Sequence, residues 1–467
     1  MNLPSAIKNI HYPSSIRHYQ EARRRLAFDE FFVLQLAVLM RKLSEKAERN
    51  VFAVNIDLNK TNAFIDLLPF KLTNSQNLVI KEILNDLNSH SVMNRLLQGD
   101  VGSGKTVVAL IAVLAMVFDG YQAAVMAPTE ILAQQHYATL SRLFSFGQII
   151  EKQENHVILT LPFFDKTITL GILIGSMNQS AKKRIVERLN KKEIDIIVGT
   201  HALIQDDINI PNMGLAVVDE QHRFGVEQRA ILRNKGNNPH MLAMSATPIP
   251  RSLNLTVYGD LDISVLDELP QGRKEIKTRF INDQDRVKAY EFTRQQLEKG
   301  RQAFVLCPLI EESEILQTKA ATEEYEKLVS DIYPEFKVGL LHGRMKLSEK
   351  DHVMLEFQKH NIDILVCTPV IEVGIDIPNA SVMIIDGADR FGLAQLHQIR
   401  GRVGRGEFQS YCVLVADAPS ENAQIRLKLL EGSNDGFVLA EEDLKLRGPG
   451  DYFCLLYSSP SPRDATL

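Results

Sequence analysis

The chain has 467 residues, 45% hydrophobic and 24% charged, with a formal net charge of −5. That is enough chain for two or three domains with proper cores, in the ordinary composition of a globular protein. It argues against a protein coated in positive charge, though not against local grips on nucleic acid.

No apolar run approaches the roughly 18 to 20 residues that span a bilayer. The opening "MNLPSAIKNIHYP" lacks an apolar signal core, so the expected place is the cytosol. The cysteines at 307, 367, 412 and 454 form no C-x-x-C pair and read as buried or incidental thiols.

Along the chain, residues 14–49 carry one long helical pattern whose apolar middle must pack on something. From about 70 to 260, strand-like pieces alternate with helical ones: "QAAVMAP", "LGILIG", "IDIIVGT", "LAVVDE" and "HMLAMSAT". That alternation implies a parallel sheet wrapped by helices. The stretch "LDELPQGRKEI", with Pro270 and Gly272, suits a linker. A second alternating series runs from about 275 to 416: "RQAFVLCPLI", "KVGLLHG", "IDILVCT", "ASVMIID" and "SYCVLVA". The expected fold is therefore α/β, two lobes joined by a short linker. Two basic stretches, Arg17 to Arg25 and Ala181 to Lys192, read first as solvated helix faces and second as nucleic-acid contacts.

The stretch "LLQGDVGSGKTVVAL" fits the phosphate-cradling pattern G-x-x-x-x-G-K-[ST] from Gly99 to Thr106. Gly99, Gly102 and Gly104 let the backbone turn tightly, so that successive N–H groups, Ser103 included, point at one anion. Lys105 can reach the β- and γ-phosphates of ATP, the Thr106 hydroxyl can ligate Mg²⁺, and the following helix adds its positive end. The competing reading is a glycine-rich turn that binds nothing.

A phosphate cradle needs an acidic partner, and "LAVVDEQHRFG" supplies Asp219 and Glu220 after an apolar strand. Asp219 is placed to hold Mg²⁺ through water, and Glu220 to take a proton from the attacking water. In the second lobe "RGRVGRG" places Arg402 and Arg405 three apart among glycines. They read as arginine fingers reaching across the cleft, or as surface salt bridges. If ATP needs both lobes, binding closes the cleft and hydrolysis reopens it.

The segments "GDVGSGKT", "APTEILAQQH", "GTHALIQ", "DEQH", "SATPIPRSL", "TPVIEVGIDIPNAS" and "QLHQIRGRVGRG" occur in the order of the superfamily-two helicase and translocase motifs. They cover roughly residues 68–410. "NDGFVLAEEDLKLRGPGD" resembles the TRG segment shared by RecG helicases and the transcription-repair coupling factor. "RGPGD", "DEQHRFGVEQR", "CPLIEESE" and the helical start resemble RecG.

The resemblance implies two tandem RecA-like lobes, 68–268 and 269–430, preceded by a helical connector, 1–67. A TRG-like coupling segment, 431–453, and a foreign or disordered tail, 454–467, would follow. It also implies an ATP- and Mg²⁺-dependent motor that remodels branched double-stranded DNA (stalled forks and Holliday junctions), working as a monomer. Gln76 in "LPFKLTNSQ" would contact the adenine edge, and Asp376 would bind the nucleotide. Thr129, Glu130, Gln134, Gln135, Thr200 and His201 would face nucleic acid, with His342, Gly343 and Thr368 as second-lobe counterparts. Such contacts go mostly to sugar and phosphate, so no base sequence would be read. Each of these loop residues could instead cap its own helix. Ser245, Thr247 and Gln398 would link the ATP site to strand movement, unless the first two are simple turn residues. Arg447 would pass the stroke to DNA. An N-terminal wedge domain of RecG has no counterpart in this chain, which puts structure-specific unwinding in question. The alternatives are a coupling-factor-like duplex translocase, an RNA helicase, or a non-catalytic clamp using ATP as a switch.

Overall fold

The structure, a computed structural model, describes residues 1–47, 54–144, 146–205, 207–220, 231–232, 235, 238–247, 261–270, 273–307, 314–368 and 377–447. Asp376, residues 448–467 and most of the "DEQHRFGVEQR", "CPLIEESE" and "TPVIEVGID" segments lie outside them.

The 14–49 pattern forms one long helix, and two shorter ones flank it within 1–67 among the described residues. α1 (Leu3–His11) starts at Asn2, whose side chain accepts from Ser5 N–H, with proline in the first turn. α2 (Ile16–Ala47) follows and is tied to the first lobe by Lys42 Nζ, 2.7 Å from Asp262 Oδ1. The expectation that its apolar middle packs is not met among the described residues: Phe28, Phe32, Val33, Leu36, Met40 and Leu43 are exposed. The arginines behave as a solvated face, with Arg17 on Glu21 and Arg25 on Asp29.

After α3 (Leu58–Asp66) and α4 (Asn74–Leu87) the first lobe is built on β1 (Asn94–Gly99), α5 (Lys105–Phe118), β2 (Gln122–Met126) and α6 (Glu130–Leu143). It continues with β3 (Gln148–Lys152), β4 (His156–Leu161), β5 (Phe164–Leu173), α7 (Gln179–Asn190), β6 (Ile196–Gly199), β7 (Met213–Val218), β8 (His240–Ser245) and β9 (Asp262–Leu266). The sheet order is β3-β4-β5-β6-β2-β7-β8-β1-β9. From β5 to β9 every pairing is parallel, and β6, β7 and β8 are buried on both faces, as helix-covered strands must be. The sequence reading missed β3 and β4, which pair antiparallel and extend the sheet through short turns at 153–155 and 162–163. Every residue of β3 is exposed, so it shows none of the apolar alternation by which strands are found.

The second lobe holds β10 (Lys277–Ile281), α8 (Arg286–Glu298), β11 (Gln302–Leu306), α9 (Glu314–Lys327), β12 (Val338–Leu341) and α10 (Leu347–Gln358). Next come β13 (Ile364–Cys367), β14 (Ala380–Ile385), α11 (Leu393–Arg400), β15 (Tyr411–Val415), α12 (Glu421–Gly432) and α13 (Gly436–Arg447). Its sheet, β10-β15-β14-β11-β13-β12, is parallel throughout. Cys307, Cys367 and Cys412 are buried free thiols, and burial pushes Cys412 up to about 12. Among the described residues no helix is long and apolar enough to cross a membrane.

Candidate active site

The buried strand β1 delivers the chain into the glycine loop, and α5 leaves it with every residue from Val107 to Phe118 buried. The loop is thus clamped between two core elements. Gly102 and Gly104 take φ of +77° and +88°, where a Cβ is strained. A Cβ on Gly99 would lie 2.9 Å from Leu266 Cβ, so the loop also needs glycine for space. Lys105 Nζ donates to Gly99 O at 2.7 Å and to Asp100 O at 2.9 Å, which folds the side chain back over the loop. Burial pushes the Lys105 ammonium below its ordinary range and Arg405 pushes the same way, against the pull of Asp219, Glu220 and Asp100.

Asp219 and Glu220 follow the end of β7. His136, on α6, places Nε2 2.8 Å from Asp219 Oδ2. Burial opposes ionisation of Asp219, but the contact with His136, with Lys105 behind it, holds the carboxyl below the usual range. Glu220 sits at φ +50°, a left-handed backbone unusual for a glutamate and of the kind stored at functional sites.

The second lobe closes the site. A cleft of about 1170 Å³ is lined on one side by Gly102, Gly104, Lys105, Thr106, Asp219 and Glu220, and on the other by Gln398, Arg402 and Arg405. Four features therefore meet in this cleft: the loop, the acidic pair, the hydroxyl and both arginines. Two residues do not behave as expected. Gln76, assigned to the adenine edge, spends both ends of its amide on the protein: Oε1 accepts from Thr73 N–H at 2.9 Å and Nε2 donates to Ser103 O at 2.8 Å. It braces the phosphate loop from behind. Gln135, assigned to nucleic acid, lies in the wall of the nucleotide cleft, on the α6 stripe that Leu132 and Thr139 share at three- and four-residue spacing. Ser103 is fully buried, its Oγ without a hydrogen-bond partner.

Most other candidates fall at strand ends, one group in each lobe. β2 and β6 run parallel with Met126 beside Gly199, so Thr129 and Thr200–His201 emerge at neighbouring strand ends. β12 and β13 place Leu341 beside Cys367, which sets His342 and Gly343 next to Thr368. Ligands of open α/β sheets gather at such carboxyl ends. Several of these residues also do local work. Thr129 caps α6 on Leu132 N–H at 3.4 Å, Glu130 Oε1 accepts from Ser176 N–H at 3.0 Å, and Gly343 O accepts from Lys350 Nζ at 2.6 Å. Gln134 and His201 are exposed. Thr368 is buried, and its Oγ1 and His342 Nδ1 have no hydrogen-bond partner. Arg447 ends α13, which packs on α11, the helix that carries Gln398.

Ser245 and Thr247 pair their hydroxyls at 2.6 Å, and Gln98 Nε2 reaches Thr247 O at 3.1 Å. This buried glutamine sits one residue before the glycine loop and was not singled out in the sequence, nor were Asp100, His136, Arg273, His397 and Arg400. The available signals were a polar residue inside an apolar strand and histidines inside the quoted motifs.

A DEAD/DEAH box helicase family matches residues 73–256, and a helicase conserved C-terminal domain matches residues 287–407. The chain is 50% identical to the ATP-dependent DNA helicase RecG of Synechocystis over 97% of its length, covering 52% of that protein. It is 48% identical to RecG of Bacillus subtilis over 96% of its length, covering 63% of that relative. The solved structure of RecG bound to a three-way DNA junction superposes with a TM-score of 0.80 at 46% identity, over 96% of this chain and 56% of that one. Mss116p bound to single-stranded RNA and AMP-PNP shares the fold alone, at 18% identity and a TM-score of 0.55, over 80% of this chain and 75% of that one. The chain spans roughly half to two-thirds of the length of the curated relatives it matches. Over the stretch it shares with them, this chain is similar to RecG helicases and carries both the DEAD/DEAH box helicase and the helicase C-terminal domains.

Proposed function

We propose that this chain is the ATP-hydrolysing motor of a translocase that moves on double-stranded DNA and remodels branches such as stalled forks and Holliday junctions. The observation that carries it is the single cleft in which Lys105, Thr106, Asp219 and Glu220 of one lobe face Arg402 and Arg405 of the other. A site completed only when two lobes meet turns each hydrolysis into a change of lobe spacing. The 46%-identical protein seen on a three-way junction favours branched DNA as the track.

Water attacks the γ-phosphorus, its proton passes to the Glu220 carboxylate, and the bond to the β-phosphate oxygen breaks to release phosphate and ADP. Lys105 and the two arginines offset the charge on the transferred group. The Thr106 hydroxyl and the ionised Asp219 carboxylate fit a Mg²⁺ that would keep water and phosphate oxygens as its other ligands. Among the described residues no group of three or more His, Cys, Asp or Glu could hold a metal alone. Such an ion would supply charge neutralisation on the phosphates. Thr129, Thr200, His201, His342 and Thr368 would hold the DNA backbone, and Arg447 would pass lobe motion onward through α13.

The test is phosphate release with no nucleic acid, with a synthetic fork, with linear duplex and with RNA. Stimulation by the fork supports the reading. Equal stimulation by fork and linear duplex points to a plain duplex translocase. A preference for RNA, or no hydrolysis under any condition, overturns it.

A further inference from the structure

Asp100 is a node with four bonds, one of them from Ser103 N–H to its carbonyl at 3.1 Å. Its backbone carbonyl accepts from Lys105 Nζ at 2.9 Å, and its Oδ1 accepts from Val101 N–H at 2.6 Å. The same Oδ1 lies 2.7 Å from His397 Nε2, on α11 of the other lobe. Asp100 thus holds the catalytic lysine with its main chain and the second lobe with its side chain.

The ring of His397 is itself fixed. Its Nδ1 lies 3.0 Å from Arg400 Nη2, and Arg400 Nη1 donates to Leu430 O at 2.7 Å and Ser433 O at 2.8 Å. A guanidinium can only donate, so Nδ1 of His397 must accept. The proton then sits on Nε2 and points at the Asp100 carboxylate. Arg400 is 1% exposed and His397 is 4% exposed, so the bond between them is shielded from water, while the Asp100 end of the other is 17% exposed. Beside the pair, Gly401 stacks on Val101, where an added Cβ would lie 3.0 Å from Val101 Cβ. Arg273 of the linker also donates to Val101 O.

We propose that Asp100 and His397 form a cross-lobe latch through which the position of the second lobe sets the seat of Lys105, making His397 a positioning residue for hydrolysis. The inference rests on the motor reading above. When the lobes close, the buried bond pulls the glycine loop at Asp100, and the two carbonyls that cradle Lys105 Nζ move with it. When they part, the carboxylate loses its donor from the second lobe and the loop relaxes. The latch acts beside the arginines and needs no contact with nucleotide.

Three variants test it in the intact chain, each measured for nucleotide binding, DNA-free turnover, fork-stimulated turnover and melting. His397→Ala should lower turnover roughly tenfold or more, as expected for loss of a buried bond to a charged group, with nucleotide affinity changed less than about threefold. His397→Gln, which restores an N–H near the Nε2 position, should recover most of the rate. Asp100→Ala should cost as much as His397→Ala, and the double variant no more than either alone. Should His397→Ala fail to fold, Asp100→Ala and His397→Gln still carry the comparison. Losses that add in the double variant, no rescue by glutamine, or unchanged turnover in either alanine variant overturn the latch. An unchanged chain that hydrolyses ATP without responding to DNA would sink the DNA motor instead, while the latch would still be read in the DNA-free rate.

Discussion

His136 holds Asp219: the ring Nε2 on α6 lies 2.8 Å from the carboxylate Oδ2 at the end of β7. Both side chains are nearly enclosed, at 10% and 14% exposure, so the bond fixes which way the carboxylate points. His136→Ala should therefore lower turnover and raise the Mg²⁺ concentration needed for half-maximal rate. Partners that orient a metal-holding carboxylate are typically worth about 10- to 100-fold. A Mg²⁺ titration of the steady-state rate checks this. An unshifted titration with normal turnover would leave His136 as packing alone.

Lys105→Ala should abolish hydrolysis, since it removes the side-chain cation that the loop carbonyls hold over the phosphate seat. Glu220→Gln should keep nucleotide binding and lose turnover, because an amide cannot accept the water's proton. A fluorescent nucleotide analogue separates the two effects. Normal hydrolysis by Glu220→Gln would remove Glu220 as the base.

Arg405 comes from the other lobe yet is near enough to depress Lys105. Arg405→Ala should lower turnover by about 10³-fold if it stabilises the transferred group, with small loss of nucleotide affinity and an unchanged melting temperature. A large drop in melting temperature, with the rate falling only in proportion to unfolded protein, would make it a structural brace.

His240 gives the fold a pH dependence unrelated to catalysis. It is 4% exposed at the start of β8, and its Nδ1 accepts from Met93 N–H at 3.0 Å. Burial pushes the imidazole down to about 4, against about 6.5 for an exposed histidine. Between these values the unfolded chain binds the extra proton. Stability is thus fully present above about pH 6.5 and drains away as pH falls toward about 4. The loss from this ring is about 2 kcal/mol between about pH 7 and about pH 5. His240→Asn, whose Oδ1 can accept from Met93, should flatten the shift of the urea midpoint between those pH values. The same shift in both proteins would assign the acid loss elsewhere.

Much of the chemistry was legible in the residues because the phosphate loop is local. Gly99 to Thr106 is contiguous, and its glycines and lysine must stand at fixed spacing whatever surrounds them. The apolar runs of β2, β6, β7 and β8 announced a buried parallel sheet for the same reason: strands covered on both faces have to be apolar throughout. β3 was invisible because a strand exposed on every residue carries no burial pattern.

Side-chain partners were decided only in three dimensions. Gln76 reads as a base-contacting residue from its motif, yet the capping box that starts α4 turns its amide back onto Ser103 O. Gln135 and His136 are neighbours in a helix, and it is the docking of α6 over β5 and β6 that leaves both in the wall of the nucleotide cleft. Asp100 and His397 lie 297 residues apart. Spacing along the chain determines a loop that folds on itself, but a bond across a cleft depends on how two sheets with separate cores are set against each other, and only the tertiary packing holds that information.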